Sequence, residues 1–371
     1  MPLAAFDFAD ELGPAKIIHV HEPHCGLEGI LVVDNVACGP SIGGLRMASD
    51  VSLDECARLA RAMTLKNAAA GLAHGGGKSV LLGDPKMARE KKERLVRGFA
   101  HALRNETDYI FGPDMGTDEI CMAWVKDEIG RAVGLPREIG GIPLDEIGAT
   151  GWGLAHASEV AASFCGLALR GARVAIQGFG AVGKHAARFL AEKGAVLIAA
   201  SDTGGAIHDP AGLDVPALIA LKEAARSVRE HARGRKLAAG DIVGIECDVW
   251  IPAARPDVVR EDNVGKLRAR LVVQGANIPF TAGAERVLHE RRVLVVPDFI
   301  ANAGGVICAA MEYHGASQAQ AFTAIEERIR ANTQQVLQAA GAAKLAPRDA
   351  AMELAAERVK KAMGTRRWSI L

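Results

Sequence analysis

Residues 172–183 read ARVAIQGFGAVG, and the helix-spaced run KHAARFLAEK follows directly. A short apolar strand that breaks into glycines at 178, 180 and 183 and opens a helix is the context in which a GxGxxG string carries meaning. Gly178 permits a tight turn, Gly180 lets backbone approach a pyrophosphate, and Gly183 allows the helix to pack closely on the strand. Phe179, Ala181 and Val182 fill the string, and the first turn of the helix, starting near Val182, offers partial positive charge to phosphate. Asp202 closes the next apolar run, VLIAAS, 19 residues past Gly183. An acidic side chain there accepts hydrogen bonds from a ribose 2′-hydroxyl and repels a 2′-phosphate, which favours NAD over NADP. The competing readings are a glycine-rich turn that binds nothing and an FAD site, although FAD sites of this kind usually lie near a chain's start.

Downstream, DVWIPA and RLVVQGA read as further strands, and upstream a helix is expected near 153–165. Strands alternating with helices build a parallel doubly wound sheet. The chain is 371 residues long, too long for one ordinary core, so a second domain and a cleft are expected. Residues 134–153, GLPREIGGIPLDEIGATGWG, have no sustained period and read as the connector. Before it, IIHV and GILVVDNV read as strands, and SxxE at Ser52 caps a helix carrying Cys56, Leu59, Ala60 and Met63 on one face. The loop Gly75-Gly76-Gly77-Lys78 then leads into SVLLG, and a helix spans about 87–103. After Gly304 the chain reads as helical, with Pro347 opening the last helix and Gly364 stopping it.

Lys+Arg 44 against Asp+Glu 44 leaves no net charge to attract nucleic acid or an acidic membrane, and 4% aromatic residues are too few for a base-stacking platform. Seven scattered cysteines without a CxxC pair suit reduced thiols. No apolar stretch reaches about 18 residues and the first residues are acidic, so a cytoplasmic protein with no membrane span is expected.

HGGGKS lacks the glycine a phosphate-cradling GxxxxGK[ST] needs, since residue 72 is leucine. Lys78 is instead a side chain held among glycines where a small substrate can approach. Desolvation and a second cation, Lys66, would push its pKa down toward a general base's range. Asp114 sits in GPDMGT, pinned by Pro113 and Gly116, either as an oriented functional carboxylate or as a helix cap. His19, His21, His24 and Cys25 lack metal spacing, so no metal is expected.

The ordered series GPSIGGLRM, MTLKNAAAGLAHGGGKSV, GPDMGT, ATGWG, GFGAVG, CDVWIPAA, QGANIPFT and PDFIANAGGV resembles the glutamate, leucine, phenylalanine and valine dehydrogenases over about residues 36–310. The resemblance implies an N-terminal α/β substrate and oligomerisation domain over 1–134, to which 335–371 return. It also implies a Rossmann-type NAD-binding domain over 135–334, with a deep cleft between the two. Lys66 would grip the substrate α-carboxylate, Lys78 and Asp114 would be catalytic, and Gly43 and Gly44 would let substrate lie against backbone. Thr150 and Asn277 resemble residues near nicotinamide and substrate. The implied reaction is NAD-dependent oxidative deamination of an amino acid by a homo-oligomer.

In the glutamate branch a lysine precedes this GG and pairs with the distal carboxylate, whereas this chain has Ile42. Gly112, Val306 and Ala309 complete a pocket expected to take an apolar side chain, of leucine, valine or phenylalanine type. Three alternatives stay open: a nucleotide-binding regulatory homologue without catalysis, a glutamate dehydrogenase with an unusual pocket, and an amine dehydrogenase, which Lys66 argues against.

Overall fold

The computed structural model describes residues 8–365. The chain divides into two compact units: one runs through Pro143 and adds Val306–Ala321 and Met352 onward, and the other comprises Leu144–Gly305 and Phe322–Ala351.

In the first unit, β1 (Lys16–Glu22), β2 (Leu27–Asn35) and β3 (Ser41–Ala48) are followed by α1 (Leu53–Ala69), β4 (Gly76–Leu82), α2 (Arg89–Ala102), β5 (Tyr109–Pro113) and α3 (Glu119–Ile129). The sheet order is β1-β2-β4-β3-β5. β3 runs parallel to β4 and β5, and β2 antiparallel to β1 and β4. The two-residue period of β2 sorts its side chains. Leu31 and Val33 join Phe99 of α2 and Val125 of α3 on one face, while Val32 joins Cys56 and Ala60 of α1 on the other. Ser52 caps α1, its Oγ accepting from the Glu55 amide at 3.2 Å.

The glycines expected as a loop before SVLLG lie largely inside the sheet, because β4 already begins at Gly76. A Cβ on Gly76 would stand 1.9 Å from the Thr64 amide nitrogen, and one on Gly43 only 1.8 Å from the Gly77 carbonyl oxygen. The glycines thus allow α1 and β3 to close directly onto β4.

The second unit contains α4 (Leu144–Ile147), α5 (Ala149–Phe164), β6 (Arg173–Gln177), α6 (Ala181–Glu192), β7 (Val196–Asp202), β8 (Gly205–His208), α7 (Val215–Glu223) and β9 (Arg235–Leu237). It continues with β10 (Val249–Pro252), β11 (Leu271–Val273), α8 (Ala282–Glu290), β12 (Leu294–Val296) and α9 (Asp298–Ala301). The sheet order is β12-β11-β10-β6-β7-β8-β9. The first five are parallel, as expected of a doubly wound sheet, and β8 and β9 add an antiparallel edge that the sequence pattern did not suggest.

The chain then runs through α10 (Gly304–Tyr313), α11 (Gln318–Ala343) and α12 (Pro347–Thr365). Several boundaries differ from expectation, and Val306–Ala321, expected within the second domain, group with the first unit. Residues 135–143 stay with the first unit because Glu312 of α10 accepts from the Leu135 amide at 3.1 Å and the Ile142 amide at 2.7 Å. Residues 335–351 group with the second unit, where Arg348 is tied to Glu285 of α8 and Asp298 of α9. Gly364 does not stop the last helix, which reaches Thr365. α5 likewise begins at Ala149, earlier than expected, behind Gly148 at φ 80°.

His156 of α5 and His185 of α6 are buried, with 2% and 6% exposure. Burial is the main cause that pushes both down to about 4, helped by Lys193 and Arg330 around His156 and by Arg188 and Lys184 around His185. A depressed folded value means the unfolded chain takes up protons first as pH falls. The stabilisation is complete above about pH 6.5 and is lost toward pH 4, amounting to about 2 kcal/mol per histidine between pH 7 and 5. Urea midpoints measured across that window are expected to fall steeply for the wild type and less steeply for a His156→Gln/His185→Gln double variant. Equal slopes would refute the assignment.

Candidate active site

The first unit gathers a charged cluster on neighbouring strands. Lys78 of β4 has a side chain only 7% exposed, and its Nζ donates to Oδ2 of Asp114 at 2.5 Å. Arg46 of β3 donates from Nε to the same oxygen at 3.0 Å, while its second arm reaches Oε1 of Glu55 on α1 at 2.5 Å. Asp114 follows β5 directly. Its backbone amide donates to Thr117 Oγ1 at 3.0 Å, and that hydroxyl donates to the Leu45 carbonyl at 2.7 Å, so the turn is fastened to β3. Gly44 leaves the room this needs, since a Cβ there would lie 2.8 Å from the Asp114 Cβ and 3.2 Å from the Lys78 Nζ. Burial opposes ionisation of Asp114, yet the charge and hydrogen bond of Lys78, then Arg46 and the Met115 amide, outweigh it and hold the carboxyl below its ordinary value.

Around this cluster, Gly43 and Gly44 of β3 register with Phe111 and Gly112 of β5. Ile42, 4% exposed, precedes them, and Asn67 of α1 donates to its carbonyl at 3.3 Å and to that of Gly75 at 2.7 Å. Lys66 stands half-buried on the last turn of α1, a helix packed on β4. A Cβ on Gly112 would touch only Val133 Cγ2, at 3.5 Å, and the Gly43 carbonyl. Val306 and Ala309 lie on α10 within the same unit.

In the second unit the glycine string turns sharply after β6. Gly178 has φ 94°, and the amides of Gly178 and Phe179 donate to the Ser201 carbonyl at 3.0 and 2.7 Å. A Cβ on Gly183 would stand 2.0 Å from the Gly178 carbonyl oxygen, so α6 presses on the turn, whereas one on Gly180 would meet only open space. Phe179 is buried beneath, while Gly180 and Ala181 are exposed and Val182 half-buried at the start of α6. A dinucleotide pyrophosphate fits this feature: exposed amides at the N-terminus of a 12-residue helix with no side chain in front.

The family profile "Glutamate/Leucine/Phenylalanine/Valine dehydrogenase" matches residues 140–367, and "Glu/Leu/Phe/Val dehydrogenase, dimerisation domain" matches residues 14–131. The chain belongs to the Glu/Leu/Phe/Val dehydrogenase family. It is 36% identical over 359 residues to the glutamate dehydrogenase of Aeropyrum pernix, covering 90% of this chain and 85% of that one. It is 39% identical to the NADP(+)-dependent glutamate dehydrogenase of Pyrobaculum calidifontis, covering 96% and 92%. Among solved structures, the hetero-hexameric glutamate dehydrogenase of Thermus thermophilus in its Leu-bound form aligns with a TM-score of 0.83 at 30% identity, covering 95% and 90%. As a Glu/Leu/Phe/Val dehydrogenase the protein is an amino-acid dehydrogenase, and its cofactor is a nicotinamide dinucleotide.

In this dehydrogenase Asp202 does not offer the free acceptor expected of it. Its side chain is 8% exposed. Oδ2 accepts from Lys222 Nζ at 2.7 Å and the Val228 amide at 3.0 Å, and Oδ1 from Ser227 Oγ at 2.7 Å and the Gly204 amide at 2.9 Å. Burial opposes its ionisation, but Lys222, then Ser227 and the two amides, hold the carboxyl below its ordinary value. All four acceptor directions are occupied inside the protein.

Sequence reading also missed two residues that orient the dehydrogenase's other candidates. Asn302 donates from Nδ2 to Asn277 Oδ1 at 2.9 Å, which aims the Asn277 amide. Arg348 braces the same region through Gln274 Oε1 and Asp298 Oδ1, both at 2.8 Å, and Asp298 in turn accepts from the Ile278 amide at 2.8 Å. Asn302 lies inside the quoted PDFIANAGGV, while Arg348 has no local signal. Thr150 is half-buried on the first turn of α5, its Oγ1 3.3 Å from where a Cβ on Gly305 would be.

Asp202→Ala is therefore expected to destabilise the enzyme by about 3 kcal/mol, because Lys222 loses its buried partner. The preference between NAD and NADP should stay unchanged. Urea denaturation and paired kinetics check this, and a changed cofactor ratio with unchanged stability would reverse the assignment.

Proposed function

We propose that this dehydrogenase oxidatively deaminates an apolar L-α-amino acid of leucine, valine or phenylalanine type to the 2-oxo acid and ammonia, and runs the reverse reductive amination. The observation that carries the substrate class is Ile42, buried where the glutamate branch has a cation. A distal carboxylate would enter a pocket formed with Gly112, Val306 and Ala309 and lose several kcal/mol of hydration with no partner. The names of the relatives favour the second reading, glutamate itself, and the residues around the side chain favour the first.

Lys66 is proposed to hold the substrate α-carboxylate, with Gly43 and Gly44 admitting the amino acid against the β3 backbone. Lys78 is the proposed general base that takes a proton from the water adding to Cα. Asp114 exchanges protons with the amino group as ammonia leaves. When bound, the dinucleotide accepts the Cα hydride. The string from Gly178 through Phe179, Gly180, Ala181 and Val182 to Gly183 would hold its pyrophosphate, and Thr150 and Asn277 are the proposed residues on its nicotinamide side. This fingerprint would hold the pyrophosphate that NAD and NADP share, and NAD is proposed on the acidic residue at 202, which offers a 2′-phosphate no cation of its own. NADP is the specific alternative, because the Asp202 charge is already matched by Lys222. The dimerisation profile over residues 14–131 supports a homo-oligomer.

A panel of amino acids assayed for NADH formation at alkaline pH is expected to give kcat/KM for leucine, valine or phenylalanine at least about 100-fold above glutamate. Ile42→Lys should narrow that gap. Wild-type preference for glutamate would overturn the substrate class. Binding of dinucleotide without turnover on any amino acid would point to a regulatory homologue.

A further inference from the structure

If Lys78 is to act as a base it must first give one of its three ammonium protons to solvent. What opposes this is its own partner. Asp114 is held 2.5 Å away, its side chain 24% exposed, and a lone carboxylate there would draw the proton back. A second cation touches the same carboxylate oxygen: Arg46, with Nε 3.0 Å from Oδ2. Unlike lysine, a guanidinium does not titrate in the range of the reaction. Its side chain is 17% exposed and fixed at both ends, on Asp114 and on Glu55 of α1.

We propose that Arg46 is a positioning residue of the reaction: it is the standing counter-charge of Asp114, so that Lys78 can become neutral without leaving that carboxylate unpaired. With all four groups charged, the set Glu55, Arg46, Asp114 and Lys78 is neutral. Loss of the Lys78 proton leaves one net negative charge spread over two carboxylates that share a guanidinium. Without Arg46 the same loss would leave two uncompensated carboxylates. The other titratable groups at this place cannot substitute. Cys56 of α1, whose Sγ lies 3.3 Å from the Lys78 carbonyl, is pushed up to about 12 by burial. Burial also raises Tyr109 of β5 above its ordinary range, so both stay neutral. Lys66 of α1, in the proposed function, is engaged by the substrate α-carboxylate.

The inference rests on the proposed base role of Lys78, and one experiment separates the two. The pH dependence of kcat for oxidative deamination is measured for the wild type and for Arg46→Met, Arg46→Gln, Arg46→Lys and Lys78→Ala. Both neutral variants are expected to shift the acidic limb upward by about one pH unit or more, with turnover recovering at high pH and KM for the amino acid changing less than kcat. Arg46→Lys should bring the limb back toward the wild type. A merely structural arginine would lower the rate at every pH and leave the limb in place, and that outcome overturns the inference. Should Arg46→Met not fold, Arg46→Gln carries the test, because it keeps hydrogen-bonding capacity and removes only charge. Lys78→Ala should abolish turnover. If it does and the limb of the Arg46 variants has not moved, Arg46 alone is refuted. If Lys78→Ala retains turnover, the base reading falls and takes the inference with it.

Discussion

One oxygen atom, Oδ2 of Asp114, accepts from both Lys78 and Arg46. Two cations and a carboxylate can be brought this close in a largely dry sheet only if the strands carrying them leave space. Here β3, β4 and β5 meet through Gly43, Gly44, Gly76 and Gly112. The glycines of the first unit therefore serve a charged cluster, since a side chain at Gly43 would push β3 off β4 and one at Gly76 would push α1 off the sheet. The apolar layers on either side of the sheet, with Phe99 and Tyr109 on one face and Cys56 and Ala60 on the other, keep the geometry from relaxing.

The second unit meets a different demand. A dinucleotide presents phosphate to backbone, and the turn after β6 supplies amides with nothing in front of Gly180. Two charged side chains of this unit, Asp202 and Arg348, turn inward instead. Asp202 is consumed by Lys222, Ser227 and two amides, and Arg348 by Glu285, Gln274 and Asp298. Both networks sit where a loop must hold one shape, so their first effect is rigidity of the loops that follow β7 and β11. A carboxylate whose acceptor positions are filled by its own protein has none left for a ribose hydroxyl.

Local features were legible because their causes are local. The turn at 178–183, the capped helix α1 and the alternation of β2 each arise from residues within a few positions of one another, and the pattern states the structure. The ordered motifs added the family and the catalytic candidates. Arg46 lies within GPSIGGLRM but carries no signal of its own there, because its partner Asp114 lies 68 positions away and an ion pair at that separation leaves no periodic trace. The inward turn of Asp202 has the same origin, its partners standing 20 to 26 positions downstream. The antiparallel edge strands β8 and β9, four and three residues long, are too short for alternation to register. The passages at 306, 322 and 352 divide continuous helices between the units, and no helical pattern marks such a division.

Substrate specificity turns on burial of charge as well. A distal carboxylate is an all-or-none matter: with a cation beside it the site gains, and beside Ile42 it loses several kcal/mol of hydration. Under the proposed function, one position carries most of the difference from relatives that are 36% to 39% identical and are named glutamate dehydrogenases. Within the apolar class the balance is finer. Gly112 leaves its wall against Val133 open by a methyl group, and a methylene more or less is worth only about 1 to 3 kcal/mol. In the proposed pocket, charged and apolar substrates would be separated sharply, and apolar substrates from one another only by the volume beside Gly112 and Ala309.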